Sequence, residues 1–256
     1  MPVLSSCEIQ DNLKTSLVGR KVIVLERVSS TQDIARELVE KNAPGGTVVL
    51  AEVQSQGRGR HGRRWYSTAG LDLLASVILY PRFSNLTVVS LTLGVAIAIA
   101  IRNFTGIRAF VKWPNDVIVH DKKVAGVLAE RAGTSLIAGI GINVNQVEFH
   151  ESVAGSASSL LVETGKEVDR ASFTCEVLRQ IDRYYLMLRG EGFSPVREEL
   201  KHLSSVLGGQ VAVFFNGKTV RGQAIDVDES GALVVRVDNG MHVRVPTGEV
   251  KGGTRG

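Results

Sequence analysis

Ten consecutive residues, Gln56-Gly57-Arg58-Gly59-Arg60-His61-Gly62-Arg63-Arg64-Trp65, hold four arginines and three glycines. Glycine allows successive backbone N–H groups to turn inward as an anion-binding nest. Guanidinium forks match phosphate oxygens, so such a segment can wrap a phosphate chain. Trp65 adds an apolar foot that would pin the end of the segment to a core. Arginine–glycine clusters also occur in disordered RNA-binding tails, but those are repetitive and poor in apolar residues. This copy is single and lies between two apolar runs, residues 47–51 and 71–79. It therefore reads as a loop interrupting a folded domain, where function concentrates.

A second cluster, Lys112-Trp113-Pro114-Asn115-Asp116, sits between two apolar stretches. Lys112 offers a cation, Asn115 a donor and an acceptor, and Asp116 a carboxylate that could orient a neighbour or help place a metal. The plain alternative is a strand-connecting turn with Trp113 in the core and Asp116 capping backbone. A third run, Lys122-Lys123-Val124-Ala125-Gly126-Val127-Leu128, places a glycine inside an apolar strand, and Gly139-Ile140-Gly141-Ile142-Asn143 repeats the hint. Strand glycines give up packing and mark either close approach by a ligand or a bulge. Neither GxGxxG nor GxxxxGK[ST] occurs, which excludes a Rossmann turn or a Walker loop as the means of nucleotide binding.

The 256 residues suit one large domain, or a large one followed by a small one. An apolar fraction of 44% supports an ordinary core, and a net charge of +4 suits an acidic ligand or partner. From residue 206 onward six Lys/Arg face five Asp/Glu, so the basic character is local to the Arg-rich loop. Two cysteines, Cys7 and Cys175, without CxxC spacing give no disulfide framework and no zinc site. With no secretory signal at the start, the expected compartment is the cytoplasm. The longest apolar stretch, residues 86–101, is interrupted by Thr87, Ser90 and Thr92 and reads as a buried helix.

Hydrophobic periodicity supplies the elements that must hold these clusters. A small helix falls within 5–19, a strand at 21–28, and a helix follows with Ser30 or its neighbour as the expected N-cap. Strands follow at 48–53 and 72–80, then a helix over 86–104 stopped by Gly106. Four strands, 110–113, 116–120, 123–131 and 135–144, succeed one another with tight turns, one of them at Asp121-Lys122, and predict an antiparallel meander. Helices are expected at 168–189 and 195–203. Beyond Leu207-Gly208-Gly209, short alternating strands separated by Asn216-Gly217, Glu229-Ser230-Gly231 and Asn239-Gly240 predict a small β-barrel. The predicted division is 1–205 and 206–256.

In order along the chain, Gly57–Trp65, Lys112–Asp116 and Lys123–Gly126, with Ser30-Thr31-Gln32 and Gly139–Asn143, resemble the motifs of biotin–protein ligases, in the short form without an N-terminal DNA-binding domain. The likeness spans nearly the whole chain. Gln32 stands where many members have Asn, and His61 where many have Arg. The resemblance implies an α/β (α+β) fold. Its catalytic domain would be a class II aminoacyl-tRNA-synthetase-like mixed sheet faced by helices, and its C-terminal part a small SH3-like barrel. It implies an ATP- and Mg²⁺-dependent enzyme that makes biotinyl-5′-AMP and passes biotin to a lysine of the biotin carboxyl carrier protein of acetyl-CoA carboxylase.

On that resemblance Lys123, Arg60 and Lys112 are the catalytic cations. Lys123 meets the biotin carboxylate, and Ser30, Thr31, Gln32, Gln54, Arg58, Gly59, Gly126 and Gly141 complete the biotin side. Arg58, Gly59, Arg60, Arg63, Trp65, Lys112, Asn115 and Asn143 form the nucleotide side, with Asn115 and Asp116 as the metal candidates. Cations there offset the repulsion between a carboxylate and a triphosphate. A glycine-rich loop that stays mobile until anions neutralise its arginines would exclude water from the adenylate. Two rivals remain. A lipoate or octanoate ligase shares the fold, but the tandem Gly-Arg loop and Lys112–Asp116 favour biotin. A biotin-responsive repressor would need a helix-turn-helix unit, and fewer than thirty residues precede Ser30. No DNA or membrane partner is expected. Many relatives form a homodimer, and the sequence carries no argument on that point.

Overall fold

In chain order the elements are α1 (Ser6–Asn12), β1 (Lys21–Val28), α2 (Thr31–Glu40), β2 (Thr47–Gln54), β3 (Leu73–Leu79), α3 (Leu86–Thr105), β4 (Phe110–Lys112), β5 (Asp116–Val119), β6 (Lys122–Ala132) and β7 (Ser135–Ile142). There follow α4 (Glu151–Ala154), α5 (Leu160–Thr164), α6 (Arg170–Glu191) and α7 (Ser194–Leu203). The chain closes with β8 (Gln210–Phe215), β9 (Lys218–Val227), β10 (Leu233–Arg236), β11 (His242–Val245) and β12 (Glu249–Gly252). This computed structural model describes residues 3–81 and 85–253. Arg255, counted above in the charge of the C-terminal part, lies outside them.

Seven strands form one mixed sheet in the order β1-β2-β3-β7-β6-β5-β4. Only β1 and β2 run parallel, joined across α2, and every other neighbour is antiparallel. The expected meander is present, and its tight turn falls one residue earlier than the sequence suggested, at His120 and Asp121, both at positive φ. Alternation in the strands assigns the two faces. Val48 and Leu50 of β2, Leu73, Ala75 and Val77 of β3, and Ala138, Ile140 and Ile142 of β7 join the large core, which also contains α3 and α6 side chains. Val49, Ile78 and Ile137 join a smaller cluster with Ala35 of α2. Period two then puts Ser76, Gly139 and Gly141 on the α2 face, where short side chains leave the sheet surface bare.

Helix α2 begins where Ser30 Oγ accepts from the Gln32 amide at 3.2 Å, so the cap fixes the residues expected to touch ligand. Helix α3 ends at Gly106 in the left-handed conformation (φ 78°). By length and composition alone α3 could cross a bilayer, yet 72% of its apolar window is buried inside this fold. The sequence missed α4 and α5, each too short to show a helical period.

The last five strands form an antiparallel sheet in the order β11-β10-β9-β8-β12. It docks on the larger unit at specific points: Trp113 Nε1 donates to the Gly231 carbonyl at 2.9 Å, and Asn85 Nδ2 donates to that of Ser230 at 2.7 Å. Trp113 is thus a buried interdomain anchor, 3% exposed.

Candidate active site

Two adjoining spaces lie at the sheet's α2-side surface. The narrower, about 40 Å³, is lined by Ser30, Thr31, Gln32 and Gln54, by Arg58, Gly59, Lys123, Gly126 and Gly141, and by residues between them. The wider, about 680 Å³, takes in Gly59, Arg60, Arg63, Trp65, Lys112, Asn115, Asp116 and Asn143. Every residue expected on the biotin side therefore lines the narrow space. Of those expected on the nucleotide side, all but Arg58 line the wide one. Arg58 lines the narrow space only, because its guanidinium reaches Asp33 Oδ1 at 2.7 Å and Glu130 Oε2 at 3.9 Å. Gly59, Arg60, Trp65, Asn115 and Lys123 border both.

The narrow space is walled by amides and hydroxyls. Gln54 Oε1 accepts from the Thr31 amide at 2.7 Å, and Thr31 Oγ1 lies 3.1 Å from that oxygen and 2.8 Å from Ser76 Oγ. Gln32 Nε2 donates to the Leu128 carbonyl at 3.1 Å, and its side chain crosses Gly139, where a Cβ would come within 2.8 Å of it. Ser76 was missed from sequence because one serine in an apolar strand gives no signal.

Neither strand glycine is part of a bulge; Gly126 and Gly141 face each other in register. What fills the room they leave is Trp65. A Cβ on Gly141 would lie 2.3 Å from the indole, and one on Gly126 3.2 Å from it and 3.0 Å from Lys123 Nζ. Trp65 is thus the expected foot, standing on two glycines. Its Nε1 is buried, with no hydrogen-bond partner among the described residues. Lys123 Nζ lies 5.5 Å from the indole centroid and 2.7 Å from Asp116 Oδ1. Asn115 links the cluster, donating from Nδ2 to Asp116 Oδ1 at 3.0 Å and accepting from Arg60 Nη1 at 2.9 Å.

The Arg-rich segment is folded across the site. Residues 60–62 make a 3₁₀ turn, the Gly59 amide donates to the Arg63 carbonyl at 2.7 Å, and Trp65 N to Gly57 O at 2.9 Å. Its arginines have acceptors within the protein, which is what holds it there. Arg60 also reaches the Gly248 carbonyl at 3.2 Å and Thr247 Oγ1 at 2.8 Å, and Arg63 reaches Glu249 Oε2 at 2.6 Å. Burial lowers the Arg60 pKa, against the pull of Asp116 and Glu249. The hydrogen bond between Arg63 and Glu249 raises the arginine and lowers the carboxylate. The involvement of 247–249 was invisible in the sequence, since no local pattern ties them to residues so distant.

Behind the wide space lies a buried polar cluster. Asp72 accepts from the amides of Thr68 at 3.1 Å and Val144 at 3.2 Å, so one carboxylate joins the loop's foot to the end of β7. Arg170 pairs with Glu52 at 2.9 Å and donates to the Asp72 carbonyl at 3.1 Å. Burial pushes the Asp72 carboxyl up to about 7 despite those amides and Arg170.

Among the described residues no three His, Cys, Asp or Glu side chains gather to hold a metal ion. Asp116 can spare an oxygen, while both polar atoms of the Asn115 side chain are engaged. Such a donor set suits a magnesium that arrives on phosphate and keeps most of its waters, not one held in a protein cage.

Residues 24–146 match the Biotin/lipoate A/B protein ligase family, and residues 206–251 match the Biotin protein ligase C terminal domain. The bifunctional ligase/repressor BirA of Bacillus subtilis is 34% identical over 247 residues, 93% of this chain and 76% of that protein. The biotin–[acetyl-CoA-carboxylase] ligase of Mycobacterium tuberculosis is 32% identical, covering 97% of this chain and 96% of its own. The structure of biotin protein ligase from Aquifex aeolicus in complex with biotin and ATP superposes with a TM-score of 0.84. It is 33% identical, with 92% of this chain and 100% of that one covered.

Proposed function

Because the chain belongs to the biotin protein ligase family, we propose that it activates biotin with ATP and hands the biotin to a lysine of a biotin carboxyl carrier protein. One observation carries the residue assignment: a narrow amide-lined space and a wide cationic one meet at Arg60, Asn115 and Lys123. That junction is where a carboxylate and a triphosphate must be brought together.

In the first step a biotin carboxylate oxygen attacks the α-phosphorus of ATP. The bond to the bridging oxygen breaks, pyrophosphate leaves, and biotinyl-5′-AMP remains. Both reactants are anions. Lys123, Arg60, Lys112 and Arg63 offset the repulsion, and their charge is already in place when the transition state forms. Asp116 and Asn115 hold Lys123 and Arg60 in position. Asp116 would be the carboxylate that holds a magnesium ion arriving on the phosphates, and such an ion would supply further positive charge there. Gln54, Thr31 and Ser76 supply the donor–acceptor wall for the ureido end. In the second step the unprotonated carrier lysine attacks the acyl carbon, and AMP leaves with the electron pair.

The narrow space is far below the several hundred Å³ of ordinary ligand pockets. Biotin therefore enters as Trp65 lifts from Gly126 and Gly141, and the same loop then covers the adenylate. Pyrophosphate release with magnesium and ATP, measured separately with biotin and with lipoate, tests the reading. Release with biotin alone is the expected result; release only with lipoate would replace it.

A further inference from the structure

Asp72 is a buried carboxylate, 2% exposed, that the two steps above leave unused. Each of its oxygens accepts from a backbone amide, Oδ2 from Thr68 at 3.1 Å and Oδ1 from Val144 at 3.2 Å. Thr68 stands at the exit of the Arg-rich loop, shortly after Trp65. Val144 follows Asn143, whose amide donates to the carbonyl of Val124, the neighbour of Lys123, at 2.8 Å. One side chain therefore bridges the loop that carries Trp65 and the strands that carry Lys123. Main-chain bonds brace it. The Asn145 amide donates to the Leu71 carbonyl at 2.8 Å, and Arg170 donates to the Asp72 carbonyl at 3.1 Å while pairing with Glu52 at 2.9 Å.

The entry of the same loop is held differently. The amides of Ser55 and Gln56 donate to the carbonyls of Val28 and Ser29 at 2.9 and 2.8 Å, which continues the pairing of β1 with β2. The exit instead hangs on a buried carboxylate. Burial disfavours its charged form and pushes it up to about 7. A neutral amide would avoid that penalty, but asparagine has one acceptor oxygen and would turn an NH₂ towards the second amide. An ionised carboxylate of this length answers both amides at once.

Resting on the ligase reading above, we propose that Asp72 is a positioning residue that clasps the exit of the Arg-rich loop to the end of β7 and so sets how firmly the loop covers the acyl adenylate. It acts through Trp65 and touches no reactant. With the clasp cut, Lys123 and Arg60 keep their partners Asp116 and Asn115, so adenylate still forms. The cover is loosened, and adenylate escapes before a lysine can take the acyl group.

The test uses the full chain and three variants, Asp72→Asn, Thr68→Pro and the double. Thr68→Pro removes the other half of the clasp, the amide hydrogen, at an exposed residue outside any helix or strand. Pyrophosphate release and free adenylate are followed with biotin, ATP and magnesium but no acceptor, at a pH above the Asp72 value so that the carboxyl is ionised. A covered adenylate limits the wild type to about one pyrophosphate per chain, followed by a slow phase. That slow phase should quicken about tenfold in each single variant, matching the loss of one charge-assisted bond, with free adenylate appearing alongside. First-turnover rates should stay within about threefold. The double variant should leak no faster than Thr68→Pro alone, because both changes cut the same bond. An unchanged slow phase in both single variants, or losses that multiply in the double, would overturn the clasp. Acrylamide quenching of Trp65 emission is measured on the same proteins without substrates, and it should strengthen in both single variants; equal quenching throughout would also count against the clasp. A wild type that releases no pyrophosphate would instead sink the ligase reading, and the quenching would still decide Asp72.

Discussion

Arg63 Nη2 sits 2.6 Å from Glu249 Oε2, so a loop of the larger unit is fastened to the C-terminal sheet by residues 186 positions apart. The arginine proposed to face phosphate is already paired with a carboxylate of its own chain. On that proposal an incoming triphosphate would have to displace Glu249 or share the guanidinium with it.

Glu249→Gln should therefore tighten ATP binding. Both partners are well exposed, so the pair is worth only a few tenths to one kcal/mol, about 1.5- to 5-fold in ATP affinity. Calorimetric titration with ATP should show that gain at low ionic strength and its disappearance in about 0.5 M salt, where exposed charges are screened. Weaker ATP binding by the variant would mean that Glu249 orients Arg63 instead of competing for it.

Gly141→Ala puts a methyl where the Trp65 ring now lies, since the added carbon would sit 2.3 Å from the indole. Gly141 is in ordinary strand conformation, so the sheet should fold. The loop should fail to seat, with biotin-dependent pyrophosphate release falling at least about tenfold and the melting temperature moving by only a few degrees. The chain has two tryptophans, and Trp113 is buried at the domain contact. A shift in tryptophan emission therefore reports on Trp65.

Lys123→Ala removes the cation that Asp116 holds at 2.7 Å. Adenylate formation should drop by about 10²- to 10³-fold, the usual loss of one preorganised electrostatic group. Because Lys123 and Asp116 are both partly exposed, the folded state should lose little. Rapid-quench measurement of the first turnover alongside a thermal melt checks both halves, and wild-type turnover would remove Lys123 from the mechanism.

Asp72 gives a pH signature of stability. Burial pushes its carboxyl up to about 7 in the folded protein, against the Thr68 and Val144 amides and the charge of Arg170, while an unfolded chain leaves it at about 4. The folded state thus binds the proton more tightly. This group's contribution to stability is fully present below pH about 4 and declines as the pH rises towards 7. Urea denaturation across that range should show a shallower decline for Asp72→Asn than for the wild type. Identical slopes would show that the carboxyl is ionised throughout.

The sequence by itself determined a great deal. Periodicity set the meander, the long helices and the C-terminal strands. The Ser30 cap follows from residue type, because a short side chain with an acceptor oxygen can satisfy the first helical amides. Glycines two residues apart at 139 and 141 share one face of a strand for purely geometric reasons. The resemblance of its motifs to those of biotin–protein ligases likewise implied that Lys123, Arg60 and Asn115 share one neighbourhood.

Tertiary structure alone decided what occupies that neighbourhood. No local pattern says that Trp65 stands on Gly126 and Gly141, that Arg58 turns to Asp33, or that residues 247–249 fasten the Arg-rich loop. Those relationships join residues far apart in the chain, and they are set by sheet register and domain docking. A sequence states which groups can donate, accept or carry charge; only the packed fold states which of them have already found a partner.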